Sequence, residues 1–257
     1  MDTRVSACVI VYNEERNLRR CLESLDWADE IVVVDAFSED RTLEIAREFT
    51  DRVFPNAWPG HVAQKNFALD RASYEWVFAI DADEEVSAKL RESVLRVAQE
   101  DDSRYQGYMV ARRVYYLDRW MRHCGWYPEY RLRLFRKRAG RWTGVNPHDR
   151  VAVEGSTFRL RGDLYHYPYE DLSAHFETIG RYAEIWAREM SARGRRFRWM
   201  DLVTRPLFRF FRMFVLKLGV LDGIAGLVAS GMGAVYVFAK YAKLWERQRD
   251  DTPGRSA

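Results

Sequence analysis

IVVVDAFSEDRTLEIAREF, residues 31–49, decides the fold. Its β-branched run ends on Asp35, and the segment from Ser38 to Phe49 then reads as a helix capped by Ser38 or Asp40. The same unit recurs on either side. Ala7–Tyr12 (ACVIVY) leads into Asn13–Leu25, where Leu18, Cys21, Leu22 and Leu25 fall at helical spacing. Arg52–Pro55 precedes a helix over Val62–Ala72, and Trp76–Ile80 (WVFAI) runs through Asp81, Asp83 and Glu84 into a helix over Ser87–Gln99. Four strand-then-helix units predict an α/β fold with a parallel sheet and helices on both faces. Ligands of such sheets sit beyond the carboxyl ends of the strands, so the residues just after each strand carry the chemistry.

The composition narrows the function classes. In 257 residues, 41 Lys and Arg face 38 Asp and Glu, a net charge of +3 that excludes an acidic tail or a nucleic-acid binder driven by bulk charge. Cys8, Cys21 and Cys124 are too few and too scattered for a metal motif or disulfide framework, which suits a reducing compartment. The N-terminal apolar run is too short for an export signal, so a cytoplasmic location is expected. An aromatic content of 14% asks for a use beyond core filling, such as stacking on rings or sitting at a lipid interface.

From Gly107 to His166 alternating runs broken by Gly and Pro predict mixed or antiparallel strands, and Asp171–Arg193 reads as an amphipathic helix. Between Arg188 and Lys217, nine Lys and Arg stand against Glu189 and Asp201, interleaved with aromatics, as suits an anionic membrane surface. Gly223–Ala239 then carries no charge for 17 residues, the lower limit for a span, and reads equally as an interfacial or buried helix.

The strand ends supply the candidate site. In extended backbone, Asp81 and Asp83 at i and i+2 point to one face, where Mg²⁺ or Mn²⁺ would sit between them and a diphosphate. The same string also reads as a solvated turn. Asp35 is placed to accept hydrogen bonds from a nucleobase or ribose, with Ser38 and Asp40 shaping the pocket and Asn13 and Glu14 beside them. Glu14 and Glu15 read equally as first-turn helix acids, and Lys65 as a phosphate-binding cation or an exposed helix lysine. No G-x-G-x-x-G or Walker A loop occurs, so phosphate would be held through a metal.

Val9–Glu15 (VIVYNEE), Val32–Thr42 (VVVDAFSEDRT), Gln64–Leu69 (QKNFAL) and Asp81–Glu84 (DADE), in this order, resemble glycosyltransferase family 2. Arg119–Arg136, Arg141–Asp149, Leu164–Tyr169, Leu218–Gly226 and Phe238–Glu246 resemble its bacterial subgroup of lipopolysaccharide-core glucosyltransferases. The resemblance implies a GT-A fold, a Rossmann-like parallel or mixed sheet, with a helical C-terminal extension. It implies that Asp35 contacts uracil, that Tyr12, Asn13, Glu14, Ser38, Lys65, Asp81 and Ala82 line the nucleotide-sugar pocket, and that Asp83 is the principal metal-binding acid, with Asp81 on ribose or metal. His166 completes the metal shell in that reading, or is simply a packed residue.

Inversion needs a carboxylate opposite the leaving diphosphate to take the acceptor's proton. Asp149, in Asn146-Pro147-His148-Asp149, is the candidate base, with Glu129 and Glu154 as rivals; family members more often have Val-His-Glu there. Trp126 and Tyr127 read as a stacking platform for an acceptor sugar or as core, and Arg131, Arg133 and Arg136 as partners for phosphates. The expected domains are 1–169, with a nucleotide half to about residue 100 and an acceptor half beyond it, and a membrane-associating region over 170–257. The expected activity moves glucose from UDP-glucose to a glycolipid, the inner-core heptose of lipopolysaccharide, at the inner face of the cytoplasmic membrane. Polyprenyl phosphate or a protein side chain as acceptor, and a non-catalytic nucleotide-sugar-binding scaffold, are the alternatives.

Overall fold

The computed structural model describes residues 3–145 and 148–250. The chain divides into two compact units: one takes in the chain up to Arg113 and Pro128–His166, the other Val114–Tyr127 and the chain from Tyr167 on. A boundary after Tyr169 thus falls three residues past His166, and the segment 114–127 goes with the C-terminal helices.

In the first unit β1 (Val5–Val11), β2 (Glu30–Asp35), β3 (Val53–Pro55) and β4 (Trp76–Asp81) lie in the order β3-β2-β1-β4, all parallel. Val9 pairs with Val33 on one side and Ile80 on the other. Both faces are covered, which is why these strands are apolar at nearly every position. Val5, Ala7, Val9, Trp76 and Phe78 pack with Leu18 and Leu22 of α1 (Leu18–Glu23), Ile45 of α2 (Thr42–Phe49) and Leu90 of α4 (Ala88–Glu100). Cys8, Val32, Val34, Val77 and Ala79 face the other way, onto Ala68 and Leu69 of α3 (His61–Arg71).

The sheet then continues through β8 (Glu129–Arg136), β6 (Tyr105–Tyr116), β11 (Ser156–His166) and β5 (Glu84–Val86), with β8 antiparallel to both β4 and β6 and β11 antiparallel to β5. The sheet is therefore mixed. A separate hairpin joins β9 (Gly140–Val145) to β10 (His148–Val153), opposing Asp149 to Gly144.

Two helix starts differ from the sequence expectation. α1 begins at Leu18 because Asn13 adopts φ of 53° and Glu14 O accepts both the Asn17 and Leu18 N–H groups, which makes a turn of the preceding residues. α2 begins after Arg41 with no side-chain cap: Ser38 is bound to Asp35, and Asp40 Oδ1 instead accepts the Thr42 N–H at 3.0 Å. α4 is capped by Ser87, whose Oγ accepts the Leu90 N–H. On β11, Gly162 has φ of +99° and lies so close to α4 that a Cβ would fall 2.3 Å from Leu90 N.

The second unit holds α5 (Leu172–Ala192, capped by Asp171), α6 (Trp199–Phe211) and α7 (Gly223–Asp250), with a π-helical turn at Arg212–Leu216 and a 3₁₀ turn at Gly219–Asp222 between the last two. A short strand β7 (Arg119–Trp120) folds back on Tyr115 and Tyr116. Asp222, fully buried, ties the residues after β7 to the start of α7 by accepting from the His123 N–H at 2.8 Å and the Arg122 N–H at 3.2 Å. The helical run Gly219–Arg249 is long and apolar enough to cross a membrane, and only 33% of its most apolar window is buried.

His175 on α5 is boxed by aromatic rings, stacked on Tyr169 at 3.9 Å, with Tyr116 and Trp126 edge-on. Burial pushes the Tyr116 hydroxyl up to about 12, so it keeps its proton, and its oxygen is hydrogen-bonded with His175 Nδ1 at 2.9 Å. Burial also lowers His175 to about 4. The unfolded chain, titrating near 6.5, binds the proton first, so this stability is present above pH 6.5 and lost as pH falls towards 4. The loss is expected to reach about 3 kcal/mol. Urea unfolding at pH 7 and pH 4 checks this: His175→Asn, which keeps an acceptor for Tyr116, should show a shallower decline, and equal declines would refute it.

Candidate active site

Three strand ends of the first unit build the site. Asp35, at the end of β2 and 1% exposed, accepts from the Ser38 hydroxyl at 2.5 Å and the Ser38 N–H at 3.1 Å. Ser38 Oγ in turn accepts the Asn13 N–H at 2.9 Å, Asn13 Oδ1 accepts the Glu39 N–H, and Thr42 Oγ1 accepts the Glu14 N–H at 2.7 Å. These bonds knit the β1 and β2 loops into one wall, on which Tyr12 stands exposed. Burial raises the Glu14 carboxyl above its ordinary range; the Asn17 amide works against that, and the charges of Asp83, Asp40 and Asp81 add to it.

Past β4 the two acids part. The chain turns at Ala82 and Asp83, so they are not an extended i, i+2 pair. Both Asp81 oxygens are taken by cations, Oδ1 by Lys65 Nζ at 3.0 Å and Oδ2 by Arg133 Nη2 at 2.6 Å. Burial would raise Asp81, yet Arg133 and Lys65 together hold it well below the usual carboxylate range. Asp83 Oδ2 instead lies 3.1 Å from His166 Nε2. The pairing of β11 with β5, His166 opposite Glu84, brings that ring across 83 residues of sequence.

Lys65 is not a surface lysine. Its ammonium lies over the Trp142 ring, 4.3 Å from the centroid, and bridges Asp81 to Asp149 Oδ2 at 2.9 Å. Burial opposes its charge, but Asp81 and Asp149 prevail and raise its pKa. Asp149 therefore stands one cation away from the strand-end acids. Of its rivals, Glu129 is held by Arg112 at 2.5 Å, which also lies 3.6 Å from Glu84, and by Arg131, and Glu154 lies exposed just past the far end of β10. Asn146 and Pro147 of the base motif lie outside the described residues.

The arginines of β8 differ from the phosphate-binding reading. Arg133 is buried, binding Asp81 and Glu84 at 2.6 Å each, and Arg136 is buried against Asp101 and over Trp76. Only Arg131 is exposed, beside Glu129. Glu84, fully buried, is raised by burial, with Arg133 opposing and Asp81 adding. Trp142 and Thr42, which carry Lys65 and the Glu14 loop, lie within Arg141–Asp149 and Val32–Thr42, but the sequence pattern assigns neither of them a role. Trp126 and Tyr127 belong to the second unit, where Trp126 packs edge-on against Tyr116 at 5.1 Å.

Among the described residues, no three His, Cys, Asp or Glu side chains are grouped to hold a metal ion alone. Asp83 and His166 offer one hard oxygen and one imidazole nitrogen. That set fits Mg²⁺ or Mn²⁺ in the way such ions bind nucleotides, with one or two protein ligands and the rest from phosphate and water.

Residues 6–159 match the family pattern described as "Glycosyl transferase family 2". The chain is 32% identical over 255 residues to the lipopolysaccharide core biosynthesis glycosyltransferase LpsC of Rhizobium meliloti, covering 95% of this chain and 92% of that protein. It is 28% identical to an uncharacterized glycosyltransferase of Rickettsia typhi, covering 95% and 87%. Among solved structures, the mannosyltransferase PcManGT of Pyrobaculum calidifontis, in complex with GDP-Man and Mn²⁺, superposes with a TM-score of 0.54 at 16% identity, over 95% of this chain and 88% of that one. That likeness establishes a shared fold.

Proposed function

The chain belongs to glycosyl transferase family 2, and from that premise we propose that it is an inverting, metal-dependent enzyme that moves glucose from UDP-glucose to a glycolipid. The acceptor in this reading is the inner-core heptose of lipopolysaccharide, met at the cytoplasmic face of the membrane. LpsC, named for lipopolysaccharide core biosynthesis, supports the acceptor class. PcManGT, solved with a nucleotide sugar and Mn²⁺, supports the pairing of donor and metal.

The observation that carries most weight is the Lys65 bridge, which joins Asp149 to Asp81 across 68 residues of sequence within 3.0 Å on either side. Asp35, Asn13, Ser38 and Glu14 receive the nucleoside, with Tyr12 and Ala82 at the pocket's margin. Asp83 and His166 would hold a divalent ion, which would supply positive charge to offset that gathering on a departing diphosphate. Asp81 holds Lys65 and Arg133 in place rather than the ion. Asp149 accepts the acceptor hydroxyl's proton as the oxygen bonds to the anomeric carbon and the bond to the diphosphate breaks. Arg131, on the exposed part of β8, is assigned to the acceptor.

Measuring UDP release with UDP-glucose, other UDP-sugars and GDP-mannose, with truncated core glycolipid or polyprenyl phosphate as acceptor, tests this reading. Release is expected with UDP-glucose and the core glycolipid, and a chelator should abolish it. Turnover only with polyprenyl phosphate overturns the acceptor, and no turnover with any pair leaves a nucleotide-sugar-binding scaffold.

A further inference from the structure

The β9–β10 hairpin that carries Asp149 is a two-stranded sheet of its own, and such a hairpin keeps its place only by packing on something else. Here that support is α3. Trp142 of β9, opposite Val151 and 7% exposed, packs in one apolar cluster with Ala68 and Leu69 of α3 and Phe135 of β8. At the surface Arg141 pairs with Asp70. Between these contacts lies a directional one: Asn66 Nδ2 donates to the Trp142 carbonyl at 3.0 Å, and Asn66 Oδ1 accepts the Trp142 N–H at 3.0 Å.

Among the described residues β9 is laddered to β10 alone, and alternate residues of such an edge turn both backbone groups away from the partner strand. Trp142 is one of these. The Asn66 amide meets it with one donor and one acceptor on a single planar group, as a peptide of a third strand would. Aspartate lacks that donor, leucine lacks both groups, and glutamine carries the amide one methylene too far out. Left unmatched beside a buried side chain, the two Trp142 backbone groups would each be costly.

We propose that Asn66 is a positioning residue: its amide clamps the hairpin to α3 at Trp142 and so sets where Asp149 stands. Asp149 lies opposite Gly144, two residues along from Trp142, which is about 7 Å of strand. Lys65, the residue before Asn66, rests its ammonium over the Trp142 ring and binds Asp149 Oδ2 at 2.9 Å. Two consecutive residues of α3 thus hold the hairpin at two points, one through its backbone and one through its carboxylate. An ion pair alone leaves the strand free to pivot, because attraction between charges has little directionality. Paired hydrogen bonds to one peptide remove that freedom. The effect on rate rests on reading Asp149 as the base; the clamp itself does not. A displacement of about 1 Å at reacting groups costs about 10²-fold in rate.

The test compares N66A and N66D with D70A, which breaks only the exposed ion pair between the same two elements. Hydrogen exchange of the full chain, followed by mass spectrometry, is expected to show β9 and β10 exchanging about tenfold faster or more in both Asn66 variants, as the loss of two hydrogen bonds implies. D70A should leave them unchanged, and β1 and β2 should exchange as in the wild type throughout. Wild-type exchange in the hairpin of the Asn66 variants overturns the clamp. Faster exchange across β1 and β2 overturns it as well, since Asn66 would then support the whole unit.

UDP release from UDP-glucose with truncated core glycolipid gives the second readout. N66A is expected to lower kcat about 10- to 100-fold and to leave calorimetric UDP affinity unchanged, because Asn66 makes no bond to the β1 and β2 loops. Added to Asp149→Asn, it should cost less than about threefold, since a residue acting through Asp149 has no proton transfer left to place. A full loss in both backgrounds, or N66A as fast as D70A, overturns the positioning role. If Asp149→Asn itself runs at the wild-type rate, or the wild type shows no turnover, the base reading falls and hydrogen exchange still decides the clamp.

Discussion

Asp149→Asn is expected to bind UDP as the wild type does and to turn over about 10²- to 10⁴-fold more slowly, the range contributed by a positioned base. Asparagine keeps an oxygen for the Lys65 ammonium, now 2.9 Å from Asp149 Oδ2, so the β9–β10 hairpin stays where it is. What it loses is the ability to take a proton. Calorimetric titration of UDP beside single-turnover kinetics separates the two. A wild-type rate would end the assignment and move the role to Glu154, because Glu129 is already committed to Arg112 and Arg131.

The two acids past β4 should answer to alanine in opposite ways. Asp83 is partly exposed and pairs with His166, so Asp83→Ala is expected to cost less than about 1 kcal/mol of stability. It should nevertheless abolish metal-dependent UDP release, a loss of about 10³-fold or more, because phosphate stabilisation by a metal supplies several kcal/mol to the transition state. Asp81→Ala leaves Lys65 and Arg133, both nearly buried, without the carboxylate between them. A loss of about 3–5 kcal/mol is expected, and unfolding in urea should show it before any assay does. Asp83→Ala retaining full metal-dependent activity, or Asp81→Ala keeping wild-type stability, would reverse these roles.

The parallel half of the sheet was legible because burial on both faces leaves an unbroken apolar run that a short strand alone explains, as in Ile31–Asp35 and Trp76–Ile80. The loop acids were legible for the same reason, since the strand ends locate them. What local pattern could not supply was partnership. The alternation of YRLRLFR marks two faces on β8 and is silent on which is covered; Arg133 and Arg136 turned out to lie inside, opposite Asp81 and Asp101. The meeting of His166 with Asp83 depends on β11 joining β5, a long-range pairing with no signal at either end. Val114–Tyr127 has the texture of the strands around it, yet it bonds to α5 through Tyr116 on His175 and to the 3₁₀ turn before α7 through His123 on Asp222.

Gly162 makes the imidazole's position a matter of clearance four residues upstream. Any larger residue there meets the backbone of α4 and must push the strand outward, carrying His166 with it. A chain altered at this one point would keep every loop acid and still present the His166 nitrogen in the wrong place. Anyone grafting this β-segment onto another scaffold must therefore transplant the helix start at Lys89–Leu90 along with it, since the spacing belongs to the two together.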